Sequence, residues 1–168
     1  MELRLAVPAD LPQLKKVYSD ICEEMRRSGV DLWNEQYPYE ALPGDIAAKR
    51  LWLLCDGDII AAAFALDSFT DTGDIRWEQP GAKAAVLMRL GVNVDYRRKN
   101  IGRKCCDLAG ELAGKMGCTY IRLFVVDYNT PAVEFYIRCG FVRAPGAHRE
   151  QVEGIEQGLI EYGFEKRT

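Results

Sequence analysis

The sequence predicts an α/β fold, a mixed sheet with helices on both faces, and three observations carry that reading. Apolar runs at 51–55 and 59–66 flank Asp56-Gly57, a hairpin signal. Helix-period patterns recur at 11–25 and 101–116. Strand-like runs at 84–94 and 120–126 lie on either side of the second of those helices. No repeat, low-complexity run or polar linker interrupts the 168 residues, so one domain covering 1–168 is expected.

In chain order, residues 2–7 read as a first strand. Asp10 then stands as a cap for a helix in which Leu11, Leu14, Val17, Tyr18, Ile21 and Met25 recur every three or four residues, with Gly29 ending it. Residues 31–44 carry Trp33, Tyr37, Pro38, Tyr39 and Pro43, too many breakers for regular structure, and a short helix is expected near 45–50. After the hairpin, 69–83 is polar and rich in glycine and aspartate, a long loop around Trp77 that suits a flap or a partner contact. Strand character returns at 84–94. At Arg97 the period changes, and Ile101, Cys105, Leu108, Leu112 and Met116 share one helical face until Gly117. A strand at 120–126 follows, then a helix capped by Thr130 with Pro131 at its first position and Gly140 at its close. Segments 141–144 and 159–166 are the last strands expected.

Composition narrows the function classes. The chain is 48% hydrophobic and 28% charged with a net charge of −3, an ordinary globular balance and not that of a nucleic-acid binder, whose domains usually run basic. No stretch approaches the roughly 18 apolar residues of a membrane span, and no basic start leads into a long apolar run as a signal peptide requires. Six cysteines are scattered without a CxxC pair and there is one histidine, His148, so neither a disulfide framework nor a zinc site is expected. The expected compartment is the cytoplasm.

Two segments carry chemistry. In Arg97-Arg98-Lys99-Asn100-Ile101-Gly102-Arg103-Lys104 a strand passes through a tight turn into a helix start. Amides there lack helical partners and the helix dipole adds positive charge, a natural seat for phosphate. Gly102 permits close approach, and Asn100 tolerates the left-handed conformation that most residues resist. A ligand with several phosphates is the simplest partner for five surrounding cations. The loop is neither GxxxxGK[ST] nor GxGxxG, and a plain solvated helix start is the competing reading. The second segment, Asn129-Thr130-Pro131-Ala132-Val133-Glu134-Phe135-Tyr136-Ile137-Arg138-Cys139-Gly140-Phe141, puts Asn129 at the end of a strand and Tyr136 two turns into the next helix.

Taken together, in this order and separated by one helix and one strand, the segments resemble the GNAT superfamily of N-acetyltransferases, bacterial type. That family's loop reads Gln/Arg-x-x-Gly-x-Gly/Ala; Arg97 and Gly102 match its ends, while Asn100 replaces the first glycine. Its second signature is met by Asn129, Ala132, Phe135, Tyr136, Gly140 and Phe141. The resemblance implies a mostly antiparallel sheet with splayed central strands and acetyl-CoA as acyl donor. Val92 and Val94 would meet the pantetheine amides. Arg97, Arg98, Lys99, Asn100, Ile101, Gly102 and Arg103 would surround the phosphates, and Asn129 would contact the coenzyme. Tyr136 would protonate the departing thiolate. An amine acceptor would attack the thioester directly, beside Trp33 and Tyr37, which either line its cleft or merely pack a loop. Glu24, Asp67, Glu78 and Asp127 are candidate bases by residue type only, and Arg89, Gly91 and Asn93 alternate on one face of the fourth strand with no carboxylate among them. A monomer or homodimer without nucleic-acid or membrane partners is expected. The rival from another class is a non-catalytic acyl-CoA-binding or regulatory module.

Overall fold

The computed structural model describes every residue except 35, 36, 72, 153 and 154. It contains β1 (Glu2–Leu5), α1 (Leu11–Arg27), α2 (Ala41–Ala47), β2 (Leu51–Asp56), β3 (Ile59–Ser68), β4 (Ala84–Val92), α3 (Ile101–Lys115), β5 (Tyr120–Val126), α4 (Thr130–Arg138), β6 (Val142–Arg143), β7 (His148–Val152) and β8 (Ile155–Arg167). Its contacts divide into two compact units, residues 1–67 with 87–108 and residues 68–86 with 109–168. The α/β class read from the sequence holds, with a mixed and mostly antiparallel sheet.

In the first unit β1, β2 and β3 form an antiparallel meander. The hairpin turns at Gly57-Asp58, where Asp56 pairs with Ile59 and Gly57 takes φ +58, the left-handed conformation that such two-residue loops reserve for glycine. β3 is buried from Ile60 to Leu66, four of those residues being alanine, so it reads as a continuous apolar run because both of its faces are covered. Leu14, Val17 and Tyr18 from α1 pack with Leu42 and Ile46 from α2 against Leu51, Leu53, Ala63 and Ala65. That helical face is the one the three-and-four spacing marked. Gly29, at φ +82, follows the last turn of α1 as expected.

Two local expectations change. The short helix begins at Ala41 rather than 45, since Pro43 falls within its first turn, where its missing N–H has no helical partner to lose. Asp10 stands before α1 but does not cap it. Its carboxylate instead accepts two bonds from the Arg4 guanidinium, at 2.8 and 2.7 Å, and one from the Val7 amide at 2.8 Å.

In the second unit β5 is central. Its first three residues pair in parallel with Ala84–Val86 of β4, and all seven pair antiparallel with β8, from Tyr120 opposite Arg167 to Val126 opposite Glu161. β6 and β7 both pair with β8. Within the loop at 69–83, Ile75 and Trp77 are buried. Trp77 is 4% exposed, donates Nε1–H to Asp71 at 3.1 Å and meets Phe69 edge-on, with ring centroids 5.2 Å apart. β7 was not foreseen, because His148-Arg149-Glu150-Gln151-Val152 has no apolar alternation; the same strand moves His148 from the expected loop, against Asp74 at 2.8 Å. All six cysteines are buried and none is in a disulfide. Among the described residues no helix is long and apolar enough to cross a membrane.

The Arg4 guanidinium, chiefly through its hydrogen bonds, holds the Asp10 carboxyl below the usual carboxylate range. Its contribution is therefore complete above the unfolded value of about 4 and fades as pH falls through the lower folded value. Asp10→Asn is expected to lose about 1 kcal/mol at pH 7. In urea unfolding the gap to wild type should shrink as pH drops toward 3; a constant gap would remove the charge from the explanation.

Candidate active site

The phosphate-loop segment lies wholly in the first unit. β4 ends at Val92, two residues before the sequence placed its end, because Asn93 turns the chain. Its amide nitrogen donates to the Ile60 carbonyl at 2.9 Å, its side-chain oxygen accepts from the Asp95 amide at 3.1 Å, and its backbone N–H donates to Ala61 at 2.9 Å. Val94 consequently opens a 3-10 turn, Val94–Tyr96, instead of extending the strand. Arg98 and Asn100 then take φ +60 and +59. The sequence located the second of these left-handed residues; Arg98 gave no signal, since its side chain offers no local bond to favour that conformation. α3 starts at Ile101, and its first helical bond runs from the Lys104 amide to the Asn100 carbonyl at 3.0 Å. The amides of Ile101, Gly102 and Arg103 thus have no acceptor inside the helix, the arrangement that receives anions.

Cations surround that helix start on exposed side chains. Arg97 bonds Glu24 of α1 at 2.6 Å, and Lys99 donates to the Asp95 carbonyl at 3.0 Å while lying over the Tyr96 ring. Arg98, Arg103 and Lys104 are exposed, and Gly102 is half-buried. Cys105 and Cys106 point the other way into the protein; burial pushes the Cys105 thiol up to about 12, so at neutral pH it is a packed thiol and no nucleophile.

Trp33 and Tyr37 belong to the same unit. Trp33 packs against the apolar cluster and stands 5.7 Å from the Tyr18 ring, which supports the packing alternative for it. Tyr37 is 43% exposed, 6.3 Å from Trp33, and lies under the Arg89 guanidinium at 6.0 Å. Arg89 is a residue the sequence reading set aside as merely not a carboxylate. It stands at φ +52 inside β4 and pairs with Asp45 at 2.7 Å, which breaks the simple alternation expected of Arg89, Gly91 and Asn93. An arginine within Ala84-Ala85-Val86-Leu87-Met88-Arg89-Leu90-Gly91-Val92 was the available signal, since a charge in an apolar strand demands a partner.

The second signature lies in the other unit. The N-cap of α4 is Asn129, not Thr130: its side-chain oxygen accepts from the Ala132 amide at 3.4 Å, a long bond, and its backbone carbonyl accepts from Ala132 and Val133 at 3.0 Å. Asparagine outranks threonine as a cap, which accounts for the one-residue shift. Tyr136 is half-buried, edge-on to Phe135 and Phe141 at 5.0 and 5.6 Å. Of the carboxylates named as bases by type, three are held by arginines: Glu24 by Arg97, Asp67 by Arg50 at 2.7 Å, and Glu78 by Arg167 at 2.8 Å.

The sequence profile described as "Acetyltransferase (GNAT) family" matches residues 15–141, a span that runs through both units, and the chain belongs to that family. The chain is 35% identical over 71 residues to the thialysine N-epsilon-acetyltransferase of Sus scrofa, a match covering 40% of this chain and 42% of that protein. A GNAT-family acetyltransferase structure from Streptococcus agalactiae is similar at TM-score 0.81 and 14% identity, covering 99% of this chain and 95% of that one. Arabidopsis thaliana NAA60, solved in complex with acetyl-CoA, is similar at TM-score 0.67 and 17% identity, covering 99% of each chain. Acetyl-CoA is the acyl donor of this family.

If the amides at the head of α3 receive phosphate, Gly102→Glu should raise the acetyl-CoA dissociation constant at least a hundredfold, by crowding and charge repulsion, in isothermal titration calorimetry. Circular dichroism should be unchanged. Undiminished affinity in a folded variant would put the coenzyme elsewhere.

Proposed function

We propose that this chain is a single-domain N-acetyltransferase that moves an acetyl group from acetyl-CoA to a primary amine of a small molecule or peptide by direct attack. The observation that carries the reading is the loop at 97–103, with two left-handed residues delivering the chain into a helix whose first amides lack helical acceptors. The amides from Arg98 to Arg103 hold the pyrophosphate, and side chains among Arg97, Arg98, Lys99 and Arg103 meet the remaining phosphate charge. Residues Leu90 to Val92, where β4 ends before the Asn93 turn, offer backbone groups to the pantetheine arm. Val94 stands in a 3-10 turn beyond the end of the strand.

The amine attacks the thioester carbonyl, the carbonyl oxygen takes the negative charge, and a β4 amide near Val92 stabilises it, an interaction worth about 3 kcal/mol in comparable oxyanion sites. Collapse breaks the C–S bond and expels the CoA thiolate, Tyr136 supplies its proton, and the proton released from the newly acylated nitrogen restores the Tyr136 hydroxyl, directly or through water. Because a thiol near pKa 8.5 is already a better acid than a phenol near 10, the tyrosine proton assists departure rather than permitting it. Asn129 combines a coenzyme contact with its capping role, the cap using only its oxygen. Tyr37, exposed beside Arg89, stands at the acceptor side, with Trp33 supporting it.

Thiol release from acetyl-CoA, followed across an amine panel that begins with thialysine and includes polyamines, lysine derivatives and peptide N-termini, tests the proposal. One amine should raise release well above the hydrolytic background. If none does while acetyl-CoA still binds, the non-catalytic module is the correct reading. With the active amine, Tyr136→Phe should lower kcat about tenfold and leave the KM for acetyl-CoA within twofold; an unchanged kcat would remove the acid role.

A further inference from the structure

Four side chains of the first unit form a row of alternating charge with unlike ends. Arg50 donates to Asp67 at 2.7 Å and to Asp45 at 2.7 Å, and Arg89 donates to Asp45 at 2.7 and 2.8 Å. One end of the row is an anion, Asp67. The other is a cation, Arg89, whose side chain is only 9% exposed. A guanidinium carries five N–H donors in a planar fork. Asp45 takes the edge formed by Nε and Nη2. Among the described residues, the edge formed by Nη1 and Nη2 meets only the Tyr37 hydroxyl, 3.5 Å from Nη1 and too far for a strong bond. That edge presents two parallel N–H groups, the arrangement a carboxylate accepts bidentately. Its direction is set in advance, because Asp45 is wholly buried and is itself held by Arg50. Little side-chain freedom is therefore left to lose on binding. Tyr37, 43% exposed, brings a hydroxyl donor to the same place.

We propose that the open edge of Arg89, together with the Tyr37 hydroxyl, binds a carboxylate of the acceptor, so that the amine acetylated here belongs to an amino acid or another small amine with a free carboxylate. This rests on the functional reading above, which puts Tyr37 on the acceptor side, and narrows it. An anion continues the alternation that the protein leaves open at Arg89. Asp45 does not cancel the Arg89 charge, because it is shared between two arginines. A diamine or polyamine would bring a second ammonium to the same guanidinium, and like charge at that point selects against it. Holding the acceptor by its carboxylate also leaves its nitrogen free to reach the thioester.

Matched pairs of acceptors, each an acid and the amine its decarboxylation leaves, test this: lysine with cadaverine, γ-aminobutyrate with propylamine, and alanine with ethylamine. The readout is the ratio of kcat/KM for the acid to kcat/KM for its partner, which cancels any loss of activity common to both. Wild type should favour the acid at least tenfold in the pair it acetylates best. In Arg89→Gln, where Asp45 keeps Arg50, the ratio should fall to near unity through a higher KM for the acid. Tyr37→Phe, at an exposed ring, should lower the ratio about threefold. A ratio that survives Arg89→Gln overturns the proposal, as does a best acceptor in the wider amine panel that carries no carboxylate. Should Arg89→Gln not fold, an unchanged ratio in Tyr37→Phe overturns it in the same way. An enzyme active on amines but indifferent to the carboxylate sinks this inference alone, whereas acetyl-CoA binding without turnover of any amine sinks the functional reading and this inference with it.

Discussion

A carboxylate with no access to water must be paired, and in this protein that constraint falls on Asp45. Isolated burial of the charge would cost several kcal/mol, and removal of one partner of a buried pair is more damaging than absence of both. Asp45 meets the requirement with two arginines from different places in the chain, Arg50 just before β2 and Arg89 within β4. Asp67, beside the end of β3, takes the outer side of Arg50. Four charges thus alternate in sign and tie α2, the entry to β2, the exit of β3 and the irregular turn of β4 into one network. The apolar cluster alone would tolerate small slips of these elements; directional, charge-assisted bonds do not. A frame with so little freedom is what a strained backbone at Arg89 requires.

What the sequence disclosed follows the same division. Periodicity located α1, α3 and β5 to within a residue or two, because burial of one face is written directly into apolar spacing. Glycines with positive φ at 29, 57 and 117 marked ends and turns for the same local reason. The loop at Asn100 was legible because only a few residue types accept its conformation. Features fixed by partners distant in sequence were not legible. An arginine in an apolar strand signals that a partner is needed, but nothing near Arg89 announces its positive φ or that the partner, Asp45, lies 44 residues away. Nothing in the polar run at 148–152 announces β7, which is a strand because β8 offers it a ladder. Pro43 and Asp10 misled for the opposite reason: each has a local preference, a breaker in one case and a cap in the other, that its actual neighbours made irrelevant.

The second unit has its own example of distant partners deciding a local outcome. Arg122 of β5 is fully buried. Its guanidinium donates to Glu165 of β8 at 3.2 Å and to the Gln79 carbonyl at 2.8 Å, and it lies over Trp77 at 4.5 Å and Phe69 at 4.9 Å. One nitrogen, Nη1, finds no acceptor, and the aromatic faces take its place as the nearest negative potential. Two aromatic side chains of the polar stretch at 69–83, Phe69 and Trp77, are thus the packing surface of a buried cation. Glycine at 163 completes the seat, since a Cβ there would stand 2.7 Å from the Trp77 ring.

The ion pairs also bear on how the acceptor loses its proton. A carboxylate acts as a general base when it is poised to accept, which needs a raised affinity for protons and an open lone pair. Glu78 is the reverse case, held below its usual range by hydrogen bonds from Tyr120 and Arg167. Glu24 and Asp67 each face a guanidinium at 2.6 and 2.7 Å. On the proposed chemistry these groups are structural anions, Glu24 on Arg97, Asp67 on Arg50 and Glu78 on Arg167. Direct transfer is compatible with this arrangement because the amine loses its first proton to water before it meets the thioester, and the proton it sheds on acylation passes to the tyrosinate left by protonation of the thiolate. On that chemistry the protein supplies placement of the thioester, stabilisation of the oxyanion and, from Tyr136, a proton for the thiolate, and the first two fall to backbone groups rather than to a titrating side chain.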